Sequence, residues 1–400
     1  MNKMNTSQIL TILYQIIVFN AILDTSHFST IPYFSLLTRM ILVVVVFVAT
    51  LIWIFGYGRI KKGLVAVTLL LLGISLVVMV KSDSQISIIM LLFLMIIYRD
   101  VEPRQFCKKY VEAAVAAMIV VFTLCLIGIF PNEFRYRITS SGLVRNRYYL
   151  GFIYATVSPN FAFHISLAYL FYKQDKLGLR DFLLILIPNT ILYILTDTRA
   201  AYFEIILAIL LFWLLKNIKK TWFKKMIGYL SIWLMPFLAG AEIYIGTSGP
   251  ENPLYVLLNV ALSYRFGYVT RALRAYPIGL WGNNITWEAG TFGESSQLVD
   301  MFYMRCAIQY GLVFLIAIII GFMGISAYFK SKNNYYGCII IIILALHSAT
   351  DPQLLEFSSV PFLIMLLTGY KYIIDSVKLR GKKKKKRNVL ENHIRYSLDK

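Results

Sequence analysis

His347 and Asp351 stand four residues apart in HSATDPQLLEFSSVPF, with Glu356 beyond them. On a helix that spacing puts both side chains on one face. Such a pair can serve as a general base, or it can be purely structural. Asp300, Tyr303 and Arg305 open a later apolar run, where Asp300 is placed either to cap a helix or to act as a catalytic carboxylate. Arg305 lies inside that run and needs a partner, for which Glu204 is a candidate. Asp197-Thr198-Arg199 sits between two apolar runs, with Glu204 about one and a half turns further on. It is either an ion pair that orients a helix or a site where Arg199 grips a phosphate, supported by Asp197 or Glu204. Arg265, Arg271 and Arg274 fall in the longest non-membrane stretch. They either meet lipid headgroups or form a clamp for a departing pyrophosphate. His164 lies beside a kink expected at Pro159 and reads as a packed, hydrogen-bonded polar residue. Cys107, Cys125, Cys306 and Cys338 have the spacing of neither a metal site nor a disulfide framework. No nucleotide, zinc-protease or nucleophile-elbow motif is present, so no metal and no cofactor is expected.

The elements that must position these groups are membrane helices. Hydrophobic residues make up 58% of the chain and charged residues 15%. Apolar runs of bilayer-spanning length recur from end to end, more surface than a soluble domain could bury. The expected fold class is an all-α polytopic integral membrane protein of about twelve transmembrane helices. The runs lie near 7–23, 40–58, 63–80, 84–98, 111–130, 149–172, 182–196, 199–215, 226–247, 301–328, 336–349 and 358–374. Three of them, 84–98, 182–196 and 336–349, are short for a bilayer. The start, MNKMNTSQILTILYQ, reads as a first helix and not as a removed signal peptide. Residues 1–374 form one membrane domain, with a large extracytoplasmic loop over 248–300, and residues 375–400 form a basic cytoplasmic tail containing GKKKKKR. That tail fixes orientation and can also meet anionic headgroups. Within the loop, 254–276 is expected to be an amphipathic surface helix, with Arg265, Arg271, Tyr264 and Tyr268 on one polar face.

Charge orients the helices. The chain carries 40 Lys and Arg against 20 Asp and Glu. A nucleic-acid partner is not expected, because the charge is distributed as polytopic proteins distribute it. With twelve spans and both termini cytoplasmic, 29 of the 40 basic residues fall inside, 22 of them lysine. Of the 11 outside, ten are arginine: Arg39, Arg135, Arg137, Arg145, Arg147, Arg199, Arg265, Arg271, Arg274 and Arg305. Orientation needs only positive charge. Arginine adds a planar fork suited to phosphate and carboxylate, so an arginine-rich outer face points to an anionic ligand there. Without nucleotide chemistry, a substrate at that face must arrive already activated. A lipid-linked diphosphate glycan meets the requirement, and Tyr136, Tyr148, Tyr149, Trp281 and Trp287 would suit sugar stacking or an interfacial belt equally.

Five segments carry a family resemblance. LVRNRYYLGF with SPNFAF, LTDTRAAYFEIILAIL, SYRFGYVTRALRAYPIGLWGNN, DMFYMRCAIQYGLVFL and HSATDPQLLEFSSVPF occur in this order between 144 and 362. Together they resemble the Wzy-type, or O-antigen polymerase, family of polysaccharide polymerases. The resemblance implies polymerisation of undecaprenyl-diphosphate-linked repeat units into capsular or exopolysaccharide, at the outer face of the cell membrane. It implies that Arg147, Arg199 and Arg265 are the substrate residues. Asp300, His347 and Asp351 are candidates for catalysis by position alone. The lipid bilayer, the lipid-linked glycan and other polysaccharide-assembly proteins are the expected partners. A lipid-linked glycan ligase is the nearest alternative. A transporter or flippase fits less well, since the central helices offer little charge beyond His164.

Overall fold

A computed structural model describes residues 3–56, 62–82, 87–138, 144–218, 220–285 and 299–379. The first helices are α1 (Lys3–Asp24), α2 (Phe34–Gly56), α3 (Lys62–Ser82), α4 (Ser87–Tyr98) and α5 (Pro103–Leu126). A hairpin of β1 (Phe134–Ile138) and β2 (Val144–Tyr148) follows. Then come α6 (Val157–Lys173), α7 (Leu179–Thr196), α8 (Arg199–Asn217) and α9 (Thr221–Ser248). The chain continues through α10 (Pro253–Ala261), α11 (Arg265–Ala275), α12 (Phe302–Gln309), α13 (Leu312–Ser331) and α14 (Tyr335–Ser348), and ends in a helix over 366–379, α15.

Eight of these helices are long and apolar enough to cross a membrane: those holding Thr6–Asp24, Phe34–Gly56, Leu64–Ser82, Pro103–Leu126, Leu179–Thr196, Arg199–Asn217, Thr221–Ser248 and Leu312–Ser331. Their outward faces carry bulky apolar side chains such as Phe47, Phe55, Trp233 and Phe237, all exposed. That is the surface of a multi-pass membrane protein, whose solvent is lipid. Helices α6 and α14 are too short to belong to this set. Twelve of 17 residues in α6 and 11 of 14 in α14 are buried, so these two helices form the centre of the bundle. Side chains on them meet protein on every side, and a polar group there must find its partner in the bundle.

The β-hairpin sits at one end of the bundle. There Thr25 at the end of α1 accepts a hydrogen bond from the Ile153 N–H ahead of α6, at 3.2 Å. The α7–α8 turn and the end of α14 lie at the same end.

Several expected boundaries are redrawn. Within 131–148, strands β1 and β2 pair antiparallel, with Arg135 opposite Arg147 and Arg137 opposite Arg145. The expected surface helix 254–276 breaks into α10 and α11, because Ser263 and Tyr264 take left-handed backbone (φ 57° and 66°). The run 301–328 breaks at Gly311 (φ 88°) into α12 and α13. There the segment 277–283 folds onto the break, with Leu312 N–H donating to Gly279 O at 3.0 Å and Asn283 N–H to Gln309 O at 3.2 Å. A β-carbon on Gly311 would stand 2.4 Å from Leu280 O, and one on Gly282 (φ 81°) 2.1 Å from Gln309 O, so only glycine fits at either position. Pro159 falls in the first turn of α6, where its missing N–H costs no helical bond, and so produces no kink inside the helix. Met301, not Asp300, is the residue flanking α12. Helix α7 starts at Leu179, earlier than expected, while α4 and α14 stay short. Helix α15 runs to 379, past the expected domain edge at 374. Trp287, the segment GTFGESSQ and the basic tail from 380 lie outside the described residues.

Candidate active site

Two polar assemblies occupy the hairpin end. The outer one is built on the α7–α8 turn. Asp197 closes α7 in left-handed backbone (φ 48°), a conformation its short polar side chain tolerates. This tight reversal presents Thr196, Asp197, Thr198 and Arg199 together. Strand β2 lies across them. Arg145 Nη1 is 2.8 Å from Asp197 Oδ1, and Arg199 Nε is 3.5 Å from the same oxygen. Arg147 donates through Nε to Thr196 O at 2.8 Å and through Nη2 to Thr198 Oγ1 at 3.4 Å. Two guanidinium groups therefore share one buried carboxylate, a third docks on the same turn, and the cluster keeps a positive surplus. Arg145 and Arg199 retain 44% and 48% side-chain exposure, so their forks are open to an anion from solvent or the membrane surface.

The inner assembly begins with Glu204, about one and a half turns into α8. His347, at the end of α14, places Nδ1 2.6 Å from Glu204 Oε2. Phe163 of α6 stacks on the imidazole with centroids 4.0 Å apart, and His164 meets it edge-on at 5.4 Å. The His347 ring is thus fixed in plane and direction. In the tautomer that donates Nδ1–H to Glu204, Nε2 carries the lone pair, and that enclosed nitrogen has no hydrogen-bond partner among the described residues. Asp351 Oδ1 lies 3.8 Å from that nitrogen, beyond hydrogen-bond range. Asp351 is itself anchored: Asn160 of α6 donates to its Oδ2 at 2.6 Å, and the Gln353 N–H to its Oδ1 at 3.0 Å. The closer carboxylate partner of His347 is therefore Glu204 from another helix, and not the residue four positions along.

Arg265, first residue of α11, is half-buried with Nη1 fully enclosed and without a hydrogen-bond partner. It interacts electrostatically with Glu242, Asp300 and His347, which places a cation beside the acid–base group. Glu242 is buried near the end of α9. It interacts with Arg265 and with the Met304 N–H in the first turn of α12, although neither oxygen reaches standard hydrogen-bond geometry. A carboxylate there complements the positive end of that helix. Burial pushes the Asp300 carboxyl above the usual carboxylate range, Arg265 and Arg305 oppose the shift and Asp351 adds to it. Glu356, beyond α14, is pushed up to about 7 by the protein around it and by Asp351, with Arg305 opposing.

Not all the sequence-selected residues converge. Arg147 and Arg199 meet at the turn, and Arg265, Asp300, His347 and Asp351 meet at the inner centre. Arg271 and Arg274 do not join Arg265. Both are exposed, and Arg271 lies over the Tyr268 ring at 4.8 Å, so α11 turns one arginine inward and two outward. Glu204 partners His347 and not Arg305, which acts instead on Asp300 and Glu356. His164 is packed as expected, but neither of its ring nitrogens is hydrogen-bonded. Sequence reading passed over Glu242 and Asn160, and counted Arg145 only among the outer arginines. A carboxylate inside the apolar stretch 226–247 was a signal for the first, because ionisable groups in such stretches are rarely idle. Besides His164, Glu204, Glu242 and His347 lie in helices, near the ends of α8, α9 and α14. Among the described residues no group of three or more His, Cys, Asp or Glu could hold a metal.

Searches against models of known protein families, curated proteins and solved structures gave no match to this chain.

Proposed function

We propose that this protein is a membrane glycosyltransferase that polymerises lipid-diphosphate-linked oligosaccharide repeat units into an extracellular polysaccharide. The observation that carries the reading is the His347–Glu204 pair, whose Nε2 is enclosed and without a hydrogen-bond partner, with the arginines of the α7–α8 turn about one and a half turns of α8 from Glu204. A hydroxyl of the incoming repeat unit gives its proton to His347 Nε2 as its oxygen attacks the anomeric carbon of the growing chain. The bond from that carbon to the diphosphate oxygen breaks, and the diphosphate leaves with the bonding electrons. Arg145, Arg147 and Arg199 outside, with Arg265 inside, stabilise the negative charge that accumulates on it. Glu204 holds the imidazole tautomer and stabilises the imidazolium that forms. The reading uses the groups at hand and requires no nucleotide. The resemblance of five segments to Wzy-type polymerases supports it.

In this reading the chain makes about twelve crossings, α4, α6, α14 and α15 adding to the eight long helices, with both termini cytoplasmic and the hairpin end facing outward. A ligase that moves finished glycan from its carrier to another acceptor would use the same arginines and the same base. Transport gains something from the half-buried Glu204 and the buried Glu242. Their gathering at one end of the bundle, not along a path through it, favours transfer chemistry.

The test is polymer length in cells and with purified protein supplied with lipid-linked repeat units. His347→Ala, Arg199→Lys and Arg265→Lys should each abolish long polymer and leave unpolymerised repeat units, with normal amounts of protein in the membrane. Normal chain length in the two arginine variants would sink the proposal. Full-length polymer stranded on its carrier would identify a ligase instead.

A further inference from the structure

A cavity of about 270 Å³ opens between α4, α12 and the segment after α14. Arg305, Glu356 and Tyr310 supply its polar wall, while Leu91, Phe302 and Phe357 supply its apolar wall. The proposed transfer chemistry does not use it. Pro352 lines the cavity and directly follows Asp351, which stands 3.8 Å from His347 Nε2, so the cavity lies near the histidine centre.

The chemistry of the walls selects among ligands. An anionic headgroup would gain Arg305 but would meet the carboxyl groups of Glu356 and Asp351. A purely apolar chain would strip water from Arg305 and Glu356 with nothing in exchange. A hydroxyl-rich ring suits both walls. Glu356 can accept from two neighbouring hydroxyls, Arg305 can donate to others in its fork geometry, and Phe302, Phe357 and Tyr310 offer faces for the ring C–H groups. The volume lies just below the range of about 300–1,000 Å³ typical of drug-sized sites, a size suited to one sugar ring and not to an oligosaccharide.

We infer that the Arg305–Glu356 cavity is a subsite for an uncharged sugar ring: the terminal residue of the acceptor glycan. The inference rests on the glycosyl-transfer reading and adds to it the place and charge class of the acceptor.

Full-length protein purified in detergent would be titrated with free glucose, galactose, N-acetylglucosamine and farnesyl phosphate, with binding followed by saturation-transfer NMR. At least one sugar should bind saturably. Glu356→Gln and Arg305→Gln, checked for an unchanged unfolding midpoint, should each weaken it at least tenfold, and the exposed Arg274→Gln should leave it unchanged. The inference is overturned if no sugar binds, if sugar binding is indifferent to both cavity variants, or if farnesyl phosphate is the ligand those variants lose. The polymerase reading stands or falls separately, on polymer length in Arg199→Lys. Sugar binding that follows Glu356 beside normal polymer in that variant would keep the cavity and discard the polymerase.

Discussion

The arginine turn and the histidine centre lie about one and a half turns of α8 apart, yet they are built in opposite ways. The turn is assembled from neighbours in sequence and from a hairpin that folds over it, and its guanidinium groups are half open. The centre draws on α6, α8 and α14, and His347 is almost wholly enclosed. A cation at a surface is screened and hydrated, so it serves capture and orientation. A base in a tight enclosure is held at one angle, and its neighbours set its tautomer. On the proposed reading the comparison is a division of labour, in which the outer group would bind the diphosphate and the inner group would handle the proton.

That division can be broken experimentally. The largest effect belongs to the enclosed base: His347→Ala should lower the polymerisation rate at saturating substrate by about 10²–10⁴-fold, with little change in KM. An equal loss on Ala substitution of the open Arg145 would erase the distinction. Next is Arg199→Lys, which should lower kcat/KM by about 10²-fold, as loss of one charge-stabilising donor does. Recovery at high substrate would show that the turn serves capture alone. Gly311→Ala should destabilise the fold by about 1–3 kcal/mol, read as a lower unfolding midpoint, because it forces a side chain into left-handed backbone against Leu280 O. Both assemblies should then weaken together if α12 positions them jointly. A smaller effect concerns pH. Glu356 is raised to about 7, so below that value it is a neutral acid and above it an acceptor carboxylate. Sugar affinity at the cavity should therefore strengthen as pH rises through about 7. The groups facing Glu356 are Asp351, Arg305 and Tyr310, and the α4 wall adds no charge. Glu356→Gln should flatten the profile. The smallest expected change is at Arg274, where substitution by Gln should alter the polymerisation rate less than about twofold, as for an exposed side chain away from such features.

The sequence by itself determined that the chain lives in a membrane, because only helices can hide that much apolar length from water while satisfying their own backbone. It also disclosed the arginine turn, since Asp197, Thr198 and Arg199 are consecutive and a tight helix reversal keeps consecutive residues together. It brought His347 and Asp351 to one side of the chain by their spacing, although α14 ends at Ser348 and Asp351 lies beyond the helix. Which carboxylate His347 engages was decided only by the tertiary structure. Glu204 lies 143 positions away, and no local periodicity relates the two. The same holds for Asn160 on Asp351, 191 positions distant, and for the docking of Arg145 on Asp197 through the hairpin. The inward turn of Arg265, away from Arg271 and Arg274, depended on the break at Ser263 and Tyr264, where left-handed backbone restarts the helix in a new direction. Helical spacing fixes what one segment presents. Packing between segments fixes what it is presented to, and the proposed chemistry depends on the second.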